Sequence, residues 1–247
     1  LNGQGIILGQ LVLTPIQTQI FRPKMKLGPF IKESLAGRVL AEGDILAVTT
    51  KIVSLAEDRL LPREGVDKKL LIKQEADQVL ADLAHNCVLT LKHGLMMISA
   101  GIDESNSPDG DYILYPQDPW LSAQRLRDEL ASEFKLQKLG VLLTDSHTIP
   151  LRRGVVGISL SHAGFRGTKN CVGEMDLFGR PLKFTHQDIA DGLAAAAVLV
   201  MGEGRECQPL VLIEGCNAEF IDGADDSPLR MKPEDDLYFP FFARKDQ

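Results

Sequence analysis

Short, unbroken apolar runs bounded by polar clusters set the pattern of this chain. They read as strands buried on both faces rather than as alternating, half-buried ones. The runs cover 45–49, 95–99, 140–144, 155–160 and 209–213. Helical spacing predicts a helix over 70–84, with apolar residues at 71, 72, 76, 79, 80, 83 and 84. A second helix is predicted over 119–134, with Asp118 as N-cap and Pro119 at the first helical position. A third, Ala-rich helix is predicted over 187–201; a Thr185-x-x-Asp188 capping pattern precedes it and Gly202 stops it. These elements mix without the strict alternation of a doubly wound sheet, so the fold class is α+β, or mixed α/β.

The chain has 247 residues, room for one large domain or two small ones. Its 44% hydrophobic and 25% charged content excludes a disordered chain. With 27 basic against 34 acidic residues the net charge is −7, which argues against a nucleic-acid partner. An anionic ligand therefore needs a local basic patch or a metal. No apolar run approaches the roughly 18 residues of a membrane span. The apolar stretch at 5–13 lacks a basic leader and is broken by Gly9 and Gln10, so no signal peptide and a cytoplasmic protein are expected. Cys87, Cys171, Cys207 and Cys216 form no C-x-x-C pair and have no zinc-finger spacing, which predicts reduced thiols. No linker divides the chain, and 1–247 reads as a single unit. Its tail, 217–247, carries Asp222, Asp225, Asp226, Glu234, Asp235 and Asp236, then Tyr238-Phe-Pro-Phe-Phe242. The aromatics are expected to pack on the core or on a second subunit.

Three of the expected strands run into polar clusters: Thr50-Lys51, then Ala100-Gly-Ile-Asp103-Glu-Ser-Asn106, then Asp145-Ser146-His147-Thr148. Open sheets place ligands just past such strand ends. Asp103 and Asp145 would then supply hard oxygen ligands suited to Mg²⁺ or Mn²⁺, which in turn hold nucleotide phosphates. Strand-end aspartates also serve as turn and cap residues, and spacing alone leaves both readings open. Arg152 and Arg153 before Gly154 form either a bidentate anion contact or an exposed turn. Gly202-Glu203-Gly-Arg205 is a helix stop or a phosphate loop. His147 lies between Asp145 and Thr148 and is a candidate substrate contact or proton shuttle, whereas His85 and His93 are expected at the surface or in packing. Walker, dinucleotide-binding and G-x-S-x-G motifs are absent.

Taken in order, these segments resemble the γ-glutamyl ligase family of the deazaflavin redox coenzyme, the CofE family. The likeness runs from about Thr14 to Gly215. It rests on Glu42-Gly-Asp-Ile-Leu-Ala-Val-Thr-Thr-Lys-Ile-Val-Ser-Leu-Ala-Glu57, on Ala100 to Asn106, on Thr144-Asp145-Ser146, and on a closing set. That set is Met175-Asp-Leu-Phe-Gly-Arg180, Asp191-Gly-Leu-Ala-Ala-Ala-Ala197 and Val200-Met-Gly-Glu203. The resemblance implies two intertwined α+β parts, a homodimer, GTP (or ATP) as phosphoryl donor, two divalent ions (Mg²⁺ or Mn²⁺), and amide formation between an acceptor carboxylate and L-glutamate. It implies Asp103, Asp145, Ser146 and Glu203 as metal ligands. It further implies Thr50, Lys51, Asn106, Gly202 and Glu203 as nucleotide contacts, with Thr14-Pro15-Ile16-Gln17 as a first nucleotide loop.

Two departures shape the expectation for substrates. The family's Lys-Ile-Val-Ser-Lys reads Lys51-Ile-Val-Ser-Leu55, and its Asp-Thr-Phe-Gly-Arg-Pro-Trp-Arg reads Asp145-Ser-His-Thr-Ile-Pro-Leu-Arg152. The second form resembles a subgroup labelled folate-metabolism γ-glutamate ligases. A folate-type acceptor, a folylpolyglutamate synthase activity, is thus expected narrowly over the deazaflavin coenzyme. His147, Thr148, Arg152 and Arg153 would contact the acceptor, with His147 and Arg152 joining Asp103 and Asp145 in catalysis. Rival readings are a non-catalytic nucleotide- or metal-binding homologue, which loss of the aspartates would favour, and a metal-dependent phosphoesterase, which lacks a His-rich signature here.

Overall fold

The computed structural model describes residues 10–35, 37–223, 225 and 229–242, with the side chains of 108, 241 and 242 left aside. Asp226 of the acidic cluster and the part of the apolar start from Gly5 to Gly9 lie outside the described residues. In chain order the elements are β1 (Val12–Ile16), α1 (Leu27–Leu35), β2 (Asp44–Thr49), α2 (Thr50–Ala56), β3 (Leu60–Leu61), α3 (Lys68–Glu75), β4 (Gln78–Asp82), β5 (Val88–Lys92) and β6 (Leu95–Ile98). They continue with β7 (Tyr112–Ile113), α4 (Pro119–Phe134), β8 (Leu139–Thr148), β9 (Val155–Ala163), β10 (Thr168–Asn170), β11 (His186–Asp188), α5 (Ile189–Met201) and β12 (Leu210–Glu214).

The α+β class holds. A five-stranded sheet of order β1-β12-β2-β8-β9 forms the centre; β2 and β8 run parallel and the other pairs antiparallel. The apolar runs are unbroken because both faces are covered. Leu46, Val48, Val141, Leu143, Leu210 and Leu212 face a core shared with α1, α2 and α4. Ile45, Ala47, Leu142, Val211 and Ile213 face the Ala-rich α5. A three-stranded sheet, β4-β5-β6, packs with α3 in a smaller core around Ile72, Val88 and Tyr112. Met97, Tyr115 and Leu160 join that sheet to β9.

The helix expected over 70–84 is a correction. α3 stops at Glu75, Ala76 is extended, and 78–82 forms β4, paired to β5. The backbone N–H of Asp77 donates to Leu91 O at 2.9 Å and the Asp77 carboxylate accepts from His93 N at 2.6 Å, so tertiary pairing overrides local periodicity. α4 occupies 119–134 as expected, with the Asp118 carboxylate accepting from Leu121 N at 3.0 Å. α5 starts at Ile189 because 186–188 pairs with β10. Its cap is Asp188, whose carboxylate accepts from Asp191 N at 2.9 Å, rather than Thr185. The expected strand 140–144 extends to Thr148, so Asp145, Ser146, His147 and Thr148 sit within β8 and not beyond it.

The tail is tied to the core through Asp225, whose Oδ2 lies 2.9 Å from His162 Nε2 and accepts from Gly167 N at 2.8 Å. Of its aromatic block, Tyr238 is 67% exposed, and the side chains of Phe241 and Phe242 lie outside the description. Cys87, Cys171, Cys207 and Cys216 are unbridged. Among the described residues no helix is long and apolar enough to cross a membrane.

Candidate active site

A cleft of about 560 Å³ opens where the parallel pair β2 and β8 ends. Its wall is built by 18–22 after β1, the first turn of α2, the loop 103–107, Thr144 to Ser146 of β8, and the end of α5 with 202–209. Lys51, Arg22 and Arg205 place cationic side chains on it beside Asp103, Asp145 and Glu203.

The Asp103 loop is shaped by left-handed backbone at Ser99, Ala100 and Gly101 (φ 52°, 54° and 72°). Gly101 has a second reason to lack a side chain: a Cβ there would sit 2.0 Å from the Tyr115 ring. Asp103 then bridges Ile113, donating from N to Ile113 O at 3.0 Å and accepting at O from Ile113 N at 2.8 Å. Its carboxylate lies 2.7 Å from Lys51 Nζ and accepts from Ser105 N at 2.7 Å and Ser105 Oγ at 3.1 Å. Burial alone would raise Asp103, but the Lys51 ammonium and Ser105 outweigh it and hold the carboxyl below its ordinary value.

Asp145 faces the same cleft from β8. A bulge in the β8–β9 ladder falls beside it, with Leu143 paired to Ser161 and Thr144 to Ser159. Tyr115, 5% exposed, donates its phenolic hydrogen to Asp145 Oδ2. Burial pushes Asp145 up to about 6; the Tyr115 bond opposes that, and the Asp103 charge adds to it. Burial together with the Asp145 charge raises the Tyr115 phenol as well. The next residue, Ser146, donates from Oγ to Glu203 Oε2 at 3.1 Å. Asn106 Nδ2 donates to Gly204 O at 3.1 Å, closing one loop onto the other.

Seven of the sixteen expected residues come together here: Lys51, Asp103, Asn106, Asp145, Ser146, Gly202 and Glu203 all line the cleft. Thr50 does not line it; the residue is buried and its Oγ1 donates to Thr144 O at 3.1 Å, which holds α2 against β8. Thr14, Pro15 and Ile16 lie in β1 paired to β12, and the cleft wall begins only at Thr18. Gln17 braces that wall, its Nε2 donating to Glu206 O at 3.0 Å. His147 and Thr148 are not cleft residues; burial lowers His147. Arg152 and Arg153 are exposed on the β8–β9 turn and are not brought to the cleft. Leu55, where the resemblance leads one to expect a lysine, lines the cleft as a buried apolar residue. Sequence reasoning missed Tyr115 and Arg22, and it singled out the segments holding Ser105 and Arg205 without giving either residue a role of its own. Tyr115 follows a two-residue strand that leaves no periodic signal, and Arg22 sits in a stretch without a motif.

Among the described residues no three His, Cys, Asp or Glu side chains cluster closely enough to form a metal cage. The oxygen-only set still fits a hard divalent ion of the kind held by one or two carboxylates together with substrate phosphates. The repulsion of Asp145 by Asp103 is what such an ion would relieve.

A cleft that gathers carboxylates, a hydroxyl and several cations at the end of a mixed sheet has the make-up of an enzyme's active site. The family model described as F420-0:Gamma-glutamyl ligase matches residues 15–215, and the chain belongs to that family of ligases. The coenzyme F420:L-glutamate ligase of Methanocaldococcus jannaschii is 34% identical over 223 residues, covering 83% of this chain and 88% of that protein. Proteins of the same name from Archaeoglobus fulgidus (33% identical; 86% and 92% covered) and Methanopyrus kandleri (34%; 83% and 86%) are similarly close. Their names give coenzyme F420, not folate, and the expected folate acceptor finds no support in them.

Proposed function

We propose that the chain is a nucleotide-dependent γ-glutamyl ligase that joins L-glutamate to the carboxylate of a deazaflavin coenzyme acceptor. The observation that carries this reading is the meeting, in one cleft, of Lys51 with Asp103 and of Ser146 with Glu203, beside Asp145 held from behind by Tyr115. The family match and the names of the relatives support the acceptor class. The folate preference rested on the likeness of the segment Asp145 to Arg153 to a folate-labelled subgroup; its proposed acceptor contacts, His147, Thr148, Arg152 and Arg153, are not among the residues that line the cleft.

A carboxylate is a poor electrophile. In this reading an acceptor carboxylate oxygen attacks the terminal phosphorus of the nucleotide, the bond to the bridging oxygen breaks, and the nucleoside diphosphate leaves. The acyl phosphate then takes the glutamate amine at its carbonyl carbon, the amine loses a proton, and phosphate departs with the C–O bond. Lys51, Arg22 and Arg205 would hold the phosphates and offset the developing charge. Asp103, Asp145, Ser146 and Glu203 would hold Mg²⁺ or Mn²⁺, which when bound polarises the phosphoryl oxygens. Asn106 and Gly202 would border the nucleotide, with GTP the donor that the family likeness favours over ATP.

The reading treats the chain as one ligase unit acting as a homodimer. Supporting the dimer, the arm between β10 and β11 exposes Met175, Leu177, Phe178 and Phe184, with Leu177 99% exposed. This arm carries the family-like Met175 to Arg180 motif outside this chain's own cleft, and apolar surface of that kind marks a protein contact.

The test is glutamate incorporation with Mg²⁺ or Mn²⁺, GTP or ATP, and purified acceptors. Asp103→Asn and Asp145→Asn each remove a ligand charge at little volume change and are expected to abolish ligation in folded protein. Wild-type-like incorporation by both would overturn the site assignment, and sedimentation as a monomer at micromolar concentration would overturn the dimer.

A further inference from the structure

Neither Arg59 nor Glu75 lines the cleft, yet together they hold the main chain of Tyr115. Arg59 lies between α2 and β3. Its backbone N–H donates to Ser54 O at 2.9 Å, and its O accepts from Leu114 N at 2.9 Å. The second bond carries the β3–β7 pairing, which ends at Leu60 and Ile113, one residue further. Tyr115 comes next, buried and outside the strand, so its carbonyl needs a donor from within the protein. Arg59 supplies it: Nε donates to Tyr115 O at 2.9 Å while Nη2 donates to Glu75 Oε2 at 2.8 Å. Glu75 ends α3, and Lys92 Nζ of β5 stands 3.7 Å from the same oxygen. The side chains of Arg59, Glu75 and Lys92 are 25%, 19% and 14% exposed, too covered for the solvated kind of ion pair that holds little in place.

We propose that Arg59 is a positioning residue, which sets the Asp145 carboxylate through Tyr115 and is itself held by Glu75. The line of contacts is continuous: Glu75 to the guanidinium, the guanidinium to the Tyr115 carbonyl, the phenol to Asp145. A tyrosine has few rotatable bonds, so anchoring its main chain limits where the phenol oxygen can point. Arginine suits the task because its rigid fork offers two donors in one plane, here one for a carbonyl and one for a carboxylate. A lysine would keep the charge but offer a point donor on a flexible stem. The inference rests on the ligase reading for what Asp145 does; how Asp145 is held is independent of it.

The test is Arg59→Lys in the full chain, alone and combined with Tyr115→Phe. Two readouts are taken: glutamate incorporation at varied Mg²⁺, and Mn²⁺ affinity by electron paramagnetic resonance with the β,γ-imido analogue of GTP. Arg59→Lys should lower kcat about 10-fold and weaken Mn²⁺ to a similar degree, as partners of metal-ligating groups do, while the acceptor KM holds. In the Tyr115→Phe background the same substitution should add little, since the phenol through which it acts is gone. A residue that merely supports the fold would multiply the two losses instead. Glu75→Gln keeps an oxygen for Nη2 and should show a smaller loss with the same dependence on Tyr115; it decides the matter if Arg59→Lys does not fold. Losses that multiply with that of Tyr115→Phe, or wild-type kinetics and Mn²⁺ affinity in the folded variants, would overturn the proposal. A wild type that binds Mn²⁺ with the analogue but forms no amide would remove the ligase reading alone, the Arg59 effect still being read from Mn²⁺ affinity. A wild type that binds neither would overturn both.

Discussion

Tyr115 and Asp145 meet across the junction of the two sheets, the phenol donating to the carboxylate Oδ2. The same ring occupies the space beside Gly101, two residues before Asp103. One tyrosine thus sets the placement of both cleft aspartates.

Tyr115→Phe should keep the ring packing and lose only the orientation of Asp145. Partners of metal-ligating groups typically carry about 10- to 100-fold in activity or metal affinity, and a fall of that order in kcat/KM is expected. Steady-state rates at varied Mg²⁺, with the far-UV spectrum unchanged, check it; wild-type kinetics would remove Tyr115 from the site.

Gly101→Ala should be far more damaging than its size suggests. It adds a Cβ at a φ of 72° and 2.0 Å from the Tyr115 ring, so either the loop or the ring must move. Left-handed backbone alone costs a residue with a side chain about 1–2 kcal/mol. Lower melting temperature together with lost activity is expected, and a variant as stable and active as wild type would contradict the loop geometry.

Asp191 makes stability depend on pH. Burial pushes its carboxyl up to about 6, with the nearby Asp188 adding to the shift; in the unfolded chain an aspartate titrates near 4. Between those values the folded protein binds the extra proton, so stability falls as pH rises from about 4 to 6 and levels off above. Asp191→Asn retains an oxygen for the Ser159 N–H, which the carboxylate accepts at 2.7 Å. The variant should lose that slope and be at least as stable as wild type at pH 8. Denaturant unfolding at several pH values checks this; an unchanged slope would refute it.

How far the sequence carried can be seen in particular elements. The helix over 119–134 was legible because cap, proline and periodicity agree. The central strands were legible because burial on both faces leaves unbroken apolar runs. The stretch 78–82 was not, since its apolar spacing fits a helix and only pairing with β5 makes it a strand. α1 and α2 were missed: one lies in a stretch without a distinct signal, and the other starts directly from the end of β2 without a side-chain cap. Lys51, Asp103 and Asp145 were found because polar groups follow apolar runs. Arg22 reaches the cleft, and Tyr115 reaches Asp145, only through tertiary placement. Arg152 and Arg153 stood out by their charge, and the fold leaves them on an exposed turn away from this chain's cleft.

The central claim is the ligation itself, and mass analysis of the acceptor tests it most directly. With purified chain, Mg²⁺ or Mn²⁺, a nucleoside triphosphate, L-glutamate and the deazaflavin coenzyme precursor, the acceptor should gain a glutamyl residue in amide linkage. One nucleoside diphosphate and one phosphate should be released for each amide formed. Nucleotide cleavage without amide, or glutamylation of folate with the deazaflavin acceptor untouched, would contradict it.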